Sequence, residues 1–242
     1  MEKNITPYKD VETGKKEQVT QMFDNISGNY DFLNRVMTFG MDIGWRKNLY
    51  KIVETHQPES ILDIATGTGD MAIMFTKTSA KKIVGLDISQ GMLDEAEKKI
   101  KKQKLDKIEL QLGDAENLPF EDNNFDVVTV SYGIRNFEDL EKGLSEILRV
   151  LNPNGILVVL ETSVPESFPM KQGYGIYTKL ILPVIGKLFS KDKRAYSYLS
   201  ESANTFPYGE KMKRILEKVG YQSVEVKPQA KGLSTIYRAA KN

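Results

Sequence analysis

From residue 60 onward, short apolar runs alternate with amphipathic stretches. The runs are Ile61-Leu-Asp-Ile64, Ile83-Val-Gly-Leu86, Ile108-Glu-Leu110, Phe125-Asp-Val-Val-Thr-Val130 and Ile156-Leu-Val-Val-Leu160, and segments of helical spacing near 70–78, 89–102 and 138–151 lie between them. Such runs read as strands, and a helix between successive strands is the crossover that a parallel sheet requires. The pattern therefore predicts an α/β fold with a doubly wound, mostly parallel sheet. Upstream, residues 16–56 read as helical, with Val19, Met22, Phe23 and Ile26, then Leu49, Ile52 and Val53, at helical spacing. The rhythm breaks at 165–205, which holds no clear strand and reads as a helical insertion broken by Pro and Gly. A helix near 208–219 stops at Gly220, and the strands Ser223-Val-Glu-Val226 and Ser234-Thr-Ile-Tyr237 follow. This last pair is hairpin-like, so a sheet of about seven strands ends with one antiparallel member.

Composition narrows the chemistry. The 242 residues carry Lys+Arg 34 against Asp+Glu 33, a net charge of +1, without the basic excess of a nucleic-acid binder. With no cysteine, a disulfide framework, a thiolate nucleophile and Cys-ligated metals are excluded. One histidine, His56, argues against His-based metal sites and charge-relay triads, so no metal site is expected. Residues 1–20 contain no apolar signal core. The longest apolar stretch, 176–189, is interrupted by Lys179, Pro183, Gly186 and Lys187, short of the roughly 18–20 clean residues of a spanning helix. A cytoplasmic protein is expected, with peripheral membrane contact and a homodimer left open. The six lysines between Lys98 and Lys107 read as a solvated helix face.

The sharpest local pattern is Leu62-Asp-Ile-Ala-Thr-Gly-Thr-Gly-Asp70, directly after the first strand and opening a helix. Gly67 and Gly69 permit a tight turn and a close approach of backbone to ligand. Asp87 ends the second strand 20 residues past Gly67, where a carboxylate can accept both ribose hydroxyls of a nucleoside. Asp114, after the third strand, is placed to meet an adenine amino group across the same crevice. A lone Gly-x-Gly is as readily a structural turn, but three features at three successive strand ends converge where such sheets bind ligands. Gly67-x-Gly-x-x-Ala72 also fits the dinucleotide fingerprint, so the loop alone leaves NAD open. Asp63, four residues before the first glycine, suits a cationic, amine-bearing ligand better than a pyrophosphate. The Tyr-x-x-x-Lys pair of a dehydrogenase falls only at Tyr237 and Lys241, in the tail. S-adenosylmethionine, with its amine, sulfonium and adenosine, fits the acid-rich site.

With these residues the chain resembles the class I S-adenosylmethionine-dependent methyltransferases, which are Rossmann-like, and more closely the demethylmenaquinone/ubiquinone C-methyltransferase family. Two segments carry the closer match, Tyr30-Asp-Phe-Leu-Asn through Trp45 and Arg149-Val-Leu-Asn-Pro-Asn-Gly through Glu161-Thr-Ser163. Tyr132-Gly-Ile-Arg-Asn136, Tyr198-Leu-Ser-Glu-Ser202, Phe206-Pro207 and Gly232-Leu…Arg238 extend it from about residue 18 to the C-terminus. The chain departs from the family's usual Met, Ser and His at Leu33, Thr38 and Asp42, and from its usual Lys and Gly at Asn152 and Asn154. No catalytic role is therefore carried onto position 42.

The resemblance implies cofactor contacts at Thr68, Asp87, Asp114 with Ala115, and Ser131; Asp63 and Gly67 are added from the pattern itself. It implies C-methylation of a polyprenylated quinol, demethylmenaquinol to menaquinol, with a ubiquinone-pathway quinol or another lipid or small molecule as the alternative. The remaining alternative is a non-catalytic adenosine-binding regulator. A quinol hydroxyl must lose a proton to activate the ring, and with one histidine a carboxylate is the economical base. Asp70, next to the glycine loop, is the first choice, against a plain helix-capping role. Arg135 and Asn136 would hold a developing phenolate or orient that base, and Tyr30 would close the pocket. The chain is expected to form a single domain: a helical cap at 1–56, a cofactor core at 57–164, a helical lid at 165–205 and a C-terminal helix and strands at 206–242. Ile176, Tyr177, Leu180, Ile181, Val184, Ile185, Leu188 and Phe189 are candidates to line a prenyl-tail channel.

Overall fold

The computed structural model describes residues 5–8, 10–181 and 193–242. Val184, Ile185, Leu188 and Phe189 lie outside the described residues.

Strands β1 (Ser60–Ile64), β2 (Lys82–Asp87), β3 (Ile108–Leu112), β4 (Phe125–Ser131), β5 (Leu151–Thr162), β6 (Gln222–Gln229) and β7 (Ser234–Ala240) form one sheet in the order β3-β2-β1-β4-β5-β7-β6. Strands β1 to β5 pair in parallel, and β7 is antiparallel to both β5 and β6. The antiparallel member thus sits one place in from the edge. Burial explains the order: Ile236, Tyr237 and Ala239 of β7 are buried, whereas β6 carries Glu225, Lys227 and Pro228, residues that suit an edge. β5 begins at Leu151 rather than Ile156, across a register irregularity against β4.

Alternation along the strands loads both faces. Leu62, Val84, Val128, Leu157 and Val159 pack with Leu144 and Ile147 of α6 (Leu140–Val150) and Met212 and Leu216 of α9 (Glu210–Val219). Ile61, Ile83, Val127 and Val158 pack the other face with Leu49 and Val53 of α3 (Met41–His56) and Met71 and Phe75 of α4 (Asp70–Phe75). α4 stops three residues short of its expected end; the Thr76 and Thr78 hydroxyls donate to the carbonyls of Ile73 and Phe75 there. Side-chain caps start two crossovers: Ser89 accepts from the Met92 amide at α5 (Gln90–Gln103), and Asp139 from the Lys142 amide at α6.

A third core forms over the carboxyl ends of the strands. It joins Val19, Met22 and Ile26 of α1 (Lys15–Ile26), Leu33 of α2 (Tyr30–Met37) and Met92 of α5 to Ala195, Tyr198 and Leu199 of α8 (Lys193–Thr205). The described part of the insertion is helical: α7 (Met170–Ile176) runs into a π-helical segment, Tyr177–Ile181, and α8 follows.

Strand order reverses between β1 and β4, and the loops leaving their carboxyl ends touch. A Cβ on Gly133 would lie 2.3 Å from the Ala65 Cβ, and Ala65 already has a positive φ of 51°. Gly133→Ala should therefore overpack this junction and cost about 1–3 kcal/mol. Urea unfolding measures the loss; a wild-type midpoint would show that the loops separate freely.

Candidate active site

Two adjoining cavities open at the strand ends. The narrower, of ≈ 70 Å³, is bordered by Tyr30, Gly67, Asp87, Asp114, Ala115, Ser131 and Asn136 among others. Five expected cofactor residues, Gly67, Asp87, Asp114, Ala115 and Ser131, therefore meet on one cleft. Its charged border is mainly acidic, with Asp87, Asp114, Glu116 and Glu138 against Lys16.

Asp63 lies behind this cleft and organises it. Its Oδ2 accepts from the Thr66 hydroxyl and its Oδ1 from the Thr129 hydroxyl, each at 2.6 Å, so one carboxylate ties β1 to the glycine loop and to β4. The loop's Gly67 amide donates to Asp87 Oδ2 at 2.7 Å, while the Ser89 amide donates to Asp87 Oδ1 at 3.0 Å. Burial pushes the Asp63 carboxyl up to about 6, against the pull of the Thr129 and Thr66 hydrogen bonds. Burial likewise pushes Asp87 up to about 6, against the Ser89, Gly67 and Ile88 amides.

Thr68 and Asp70 point elsewhere. The Thr68 hydroxyl donates to Asp31 at 2.6 Å and accepts from Lys99 at 2.9 Å, within a polar cluster beneath α2. Asp70 binds Arg35 through Oδ2 at 2.9 Å and Lys99 through Oδ1 at 2.8 Å, and borders neither cavity. Burial raises the Asp70 carboxyl, but the Lys99 hydrogen bond and the Arg46, Lys99 and Arg35 charges outweigh it and hold it below its ordinary value. A carboxylate so paired is a poor proton acceptor; this geometry suits an ion-pair link rather than the general base expected from sequence.

The second cavity, ≈ 420 Å³, has a largely apolar wall that includes Met37, Met41, Trp45, Tyr174, Leu199 and Leu233. This is the size and polarity of a small-molecule site. Arg135 borders it, and Tyr30 and Tyr132 border both cavities, which places the two spaces side by side. The Arg135 guanidinium donates to Glu161 Oε1 at 2.6 Å and to the Tyr132 carbonyl at 2.7 Å. Asn136 faces the narrower cleft and accepts from the Tyr198 hydroxyl at 3.2 Å.

Known proteins match the chain over nearly its whole length. Residues 11–241 match the model of the ubiE/COQ5 methyltransferase family. The chain belongs to that family. A Bacteroides fragilis protein named demethylmenaquinone methyltransferase is 46% identical over 99% of this chain and 98% of its own length. A Bacillus cereus protein of that name is 39% identical over 96% and 98%. A Thermotoga maritima structure described as an S-adenosylmethionine-dependent methyltransferase superposes with a TM-score of 0.64 at 21% identity, over 92% of this chain and 99% of its own, and shares the fold.

Arg46 and Tyr132 also border the apolar cavity, and Glu161 bonds Arg135 beside it, though none of the three was an expected site residue. Glu161 carried a usable signal, because it ends the apolar run of β5 just as Asp87 ends that of β2. Tyr132, with a φ of 61°, opens the family-like Tyr132-Gly-Ile-Arg-Asn136 segment, whereas Arg46, presented from α3, gave no signal, since helix docking appears only in three dimensions.

The raised carboxyls set a pH dependence. A ligand that prefers either carboxylate ionised binds fully above about pH 6 and loses affinity as pH falls through that value. Affinity for S-adenosylmethionine should fall about tenfold from pH 7 to pH 5 for one such group. Calorimetry in buffers of differing ionisation enthalpy measures it, and a flat profile would mean that neither carboxylate contacts the ligand as an anion.

Proposed function

We propose that this methyltransferase transfers a methyl group from S-adenosylmethionine to a ring carbon of a reduced polyprenylated naphthoquinol, converting demethylmenaquinol to menaquinol. The observation that carries this reading is the pairing of an acid-bordered nucleoside-type cleft with an apolar cavity through the shared Tyr30 and Tyr132. The names of the relatives point to the same substrate. Two buried carboxyls with raised proton affinity suit a positively charged cofactor. Asp87 would take the ribose, Asp114 with Ala115 the adenine, and the Gly67 turn and Ser131 would border the nucleoside. Thr68, with its hydroxyl committed to Asp31 and Lys99, would act by shaping the loop. When bound, the cofactor supplies a methyl group on a sulfonium centre that needs no protein nucleophile.

In this conformation the narrower cleft is well below the about 300–1,000 Å³ of a ligand pocket. Lys16 of α1 holds Asp114 Oδ2 at 2.6 Å. A nucleoside reaching Asp114 would have to displace Lys16 from it.

The described parts of the cap (5–8 and 10–56) and of the lid (165–181 and 193–205) would form the substrate side, over the core at 57–164 and the closing segment 206–242. Phe39, at 68% exposure, and Ile181 border the apolar cavity, and Ile176 and Leu180, at 65%, are exposed on the helical run that carries Ile181. Lys47, Lys171 and Lys179 are exposed on the same two segments. Among the described residues no helix is long and apolar enough to cross a membrane. This rim would instead rest on an anionic bilayer and admit the prenyl tail from it.

Radiolabelled methyl transfer to reduced demethylmenaquinone is the deciding assay; no product from a protein that binds the cofactor would overturn the quinol assignment. Ile176→Ser combined with Leu180→Ser should lower co-sedimentation with phosphatidylglycerol vesicles severalfold while cofactor affinity stays unchanged. Equal sedimentation would remove the membrane from the reading.

A further inference from the structure

Five buried side-chain atoms lack a partner among the described residues, Arg46 Nε, Ser131 Oγ, Tyr132 OH, Arg135 Nε and Glu161 Oε2, while Asp42 Oδ2 is ion-paired with Arg35. Arg46, Tyr132 and Arg135 border the apolar cavity, Ser131 borders the adjoining cleft, and Glu161 is bonded to Arg135. Buried polar groups are rarely orphaned, so a cluster of orphans at one junction marks where a polar ligand atom belongs.

The two cations at this junction are not equivalent. Arg135 is neutralised, with Glu161 at 2.6 Å and both side chains nearly inaccessible, at 8% and 1% exposure. Arg46 has a weaker claim on its partner. Its Nε is 3.5 Å from Asp42 Oδ2, and Asp42 also pairs with Arg35 and accepts from the Thr38 hydroxyl at 2.8 Å. The Arg46 side chain is only 11% exposed, and its guanidinium lies 5.5 Å from the Tyr132 ring centre. A cation so placed, at the wall of an apolar cavity and with a shared counter-ion, favours a negative atom beside it.

We propose that Arg46 is a substrate-binding residue that holds the ring oxyanion of an aromatic ligand seated in the apolar cavity, across Tyr132 from Arg135. The ligand class is a fused aromatic ring bearing one ionised hydroxyl. Under the quinol reading, on which the biological identity of this ligand rests, that oxygen is the hydroxyl next to the methylated carbon, its proton lost to solvent. Charge across the junction agrees: the cofactor cleft is bordered by four acids and Lys16, whereas the apolar cavity presents Arg46 and Arg135 against Asp42 alone. A positive donor and a negative acceptor would each meet the complementary side. The ordinary role of Arg46, an (i, i+4) partner for Asp42 set over the Tyr132 ring, still leaves its buried Nε without a hydrogen bond.

The test uses two small probes with the full chain. At pH 7.5, 2-hydroxy-1,4-naphthoquinone is an anion with visible absorbance, and 1,4-naphthoquinone is its neutral counterpart. Wild-type protein should bind the anion more tightly than the neutral ring. Arg46→Gln should weaken the anion about tenfold or more, as for a lost charge-assisted bond, while neutral-ring and S-adenosylhomocysteine affinities change less than twofold. Arg46→Lys should keep part of the preference, since it retains the charge and loses the planar fork. A parallel fall for both probes, or an unchanged anion affinity, overturns the proposal. If Arg46→Gln does not fold, the wild-type comparison still decides: no preference for the anion overturns it. The methyl-transfer assay fails separately, since an anion preference without quinol methylation would uphold Arg46 and remove the quinol.

Discussion

Two buried carboxylates at the ends of adjacent strands are the constraint on which the rest of this molecule turns. Asp63 holds the glycine loop and β4 through two hydroxyls, and Asp87 holds the same loop through the Gly67 amide. The loop's path, the mouth of the cleft and the spacing of β1, β2 and β4 at their carboxyl ends follow from those few bonds. Each carboxyl is pushed up to about 6 from an ordinary 3.8, so keeping it ionised near neutral pH costs the fold on the order of 3 kcal/mol. Coulomb repulsion from Asp63 adds to the shift at Asp87. A sheet end that tolerates this is less stable than an apolar one would be, and a cationic ligand relieves the cost. Stability is given up where binding needs it.

The sheet was legible because its pattern is local. Each of the five parallel strands is a run of apolar residues bounded by turn residues, and each falls within a few positions of its run. The glycine loop and its acids were legible for a related reason: ligands sit at the carboxyl ends of such strands, and those ends can be found once the strands are known. The place of β7 inside β6 was harder, since it depends on which of two short strands buries more. The surroundings of Asp70 are set by tertiary contacts. Its position after the glycine loop suggests proximity to the reacting centre, yet Arg35, arriving from α2, and Lys99, arriving from α5, claim both its oxygens. No spacing rule brings those three residues together.

What those tertiary contacts build is an alternating series of charges. Arg46 meets Asp42, Asp42 meets Arg35, Arg35 meets Asp70, Asp70 meets Lys99 and Lys99 meets Asp31. The series spans α2, α3, α4 and α5, so it fastens the helical cap to the cofactor core as well as balancing charge. It is open at one end, where Arg46 faces the apolar cavity with half a counter-ion. Substitution within the series should therefore reach the pocket without touching it, because weakening the Arg35–Asp42 contact returns more of the Asp42 charge to Arg46.

Partial neutralisation of Arg46 also suits the chemistry better than a bare cation would. Methyl transfer from a positive donor to an oxyanion-activated ring removes charge as it proceeds, so the transition state is less polar than the reactants. An interaction that gripped the oxyanion at full strength would stabilise the reactants more than the transition state and slow the step. A phenol ionises near 10, however, so without any cation the reactive anion is scarce at neutral pH. The useful range lies between these limits: enough positive charge to lower the hydroxyl by two or three units, roughly 3–4 kcal/mol, and little enough to let the charge leave. Arg46, sharing Asp42 with Arg35 beside the paired Arg135–Glu161, would under the proposed role lie between these limits. A pocket with Arg135 alone, already neutralised by Glu161, would meet only the second.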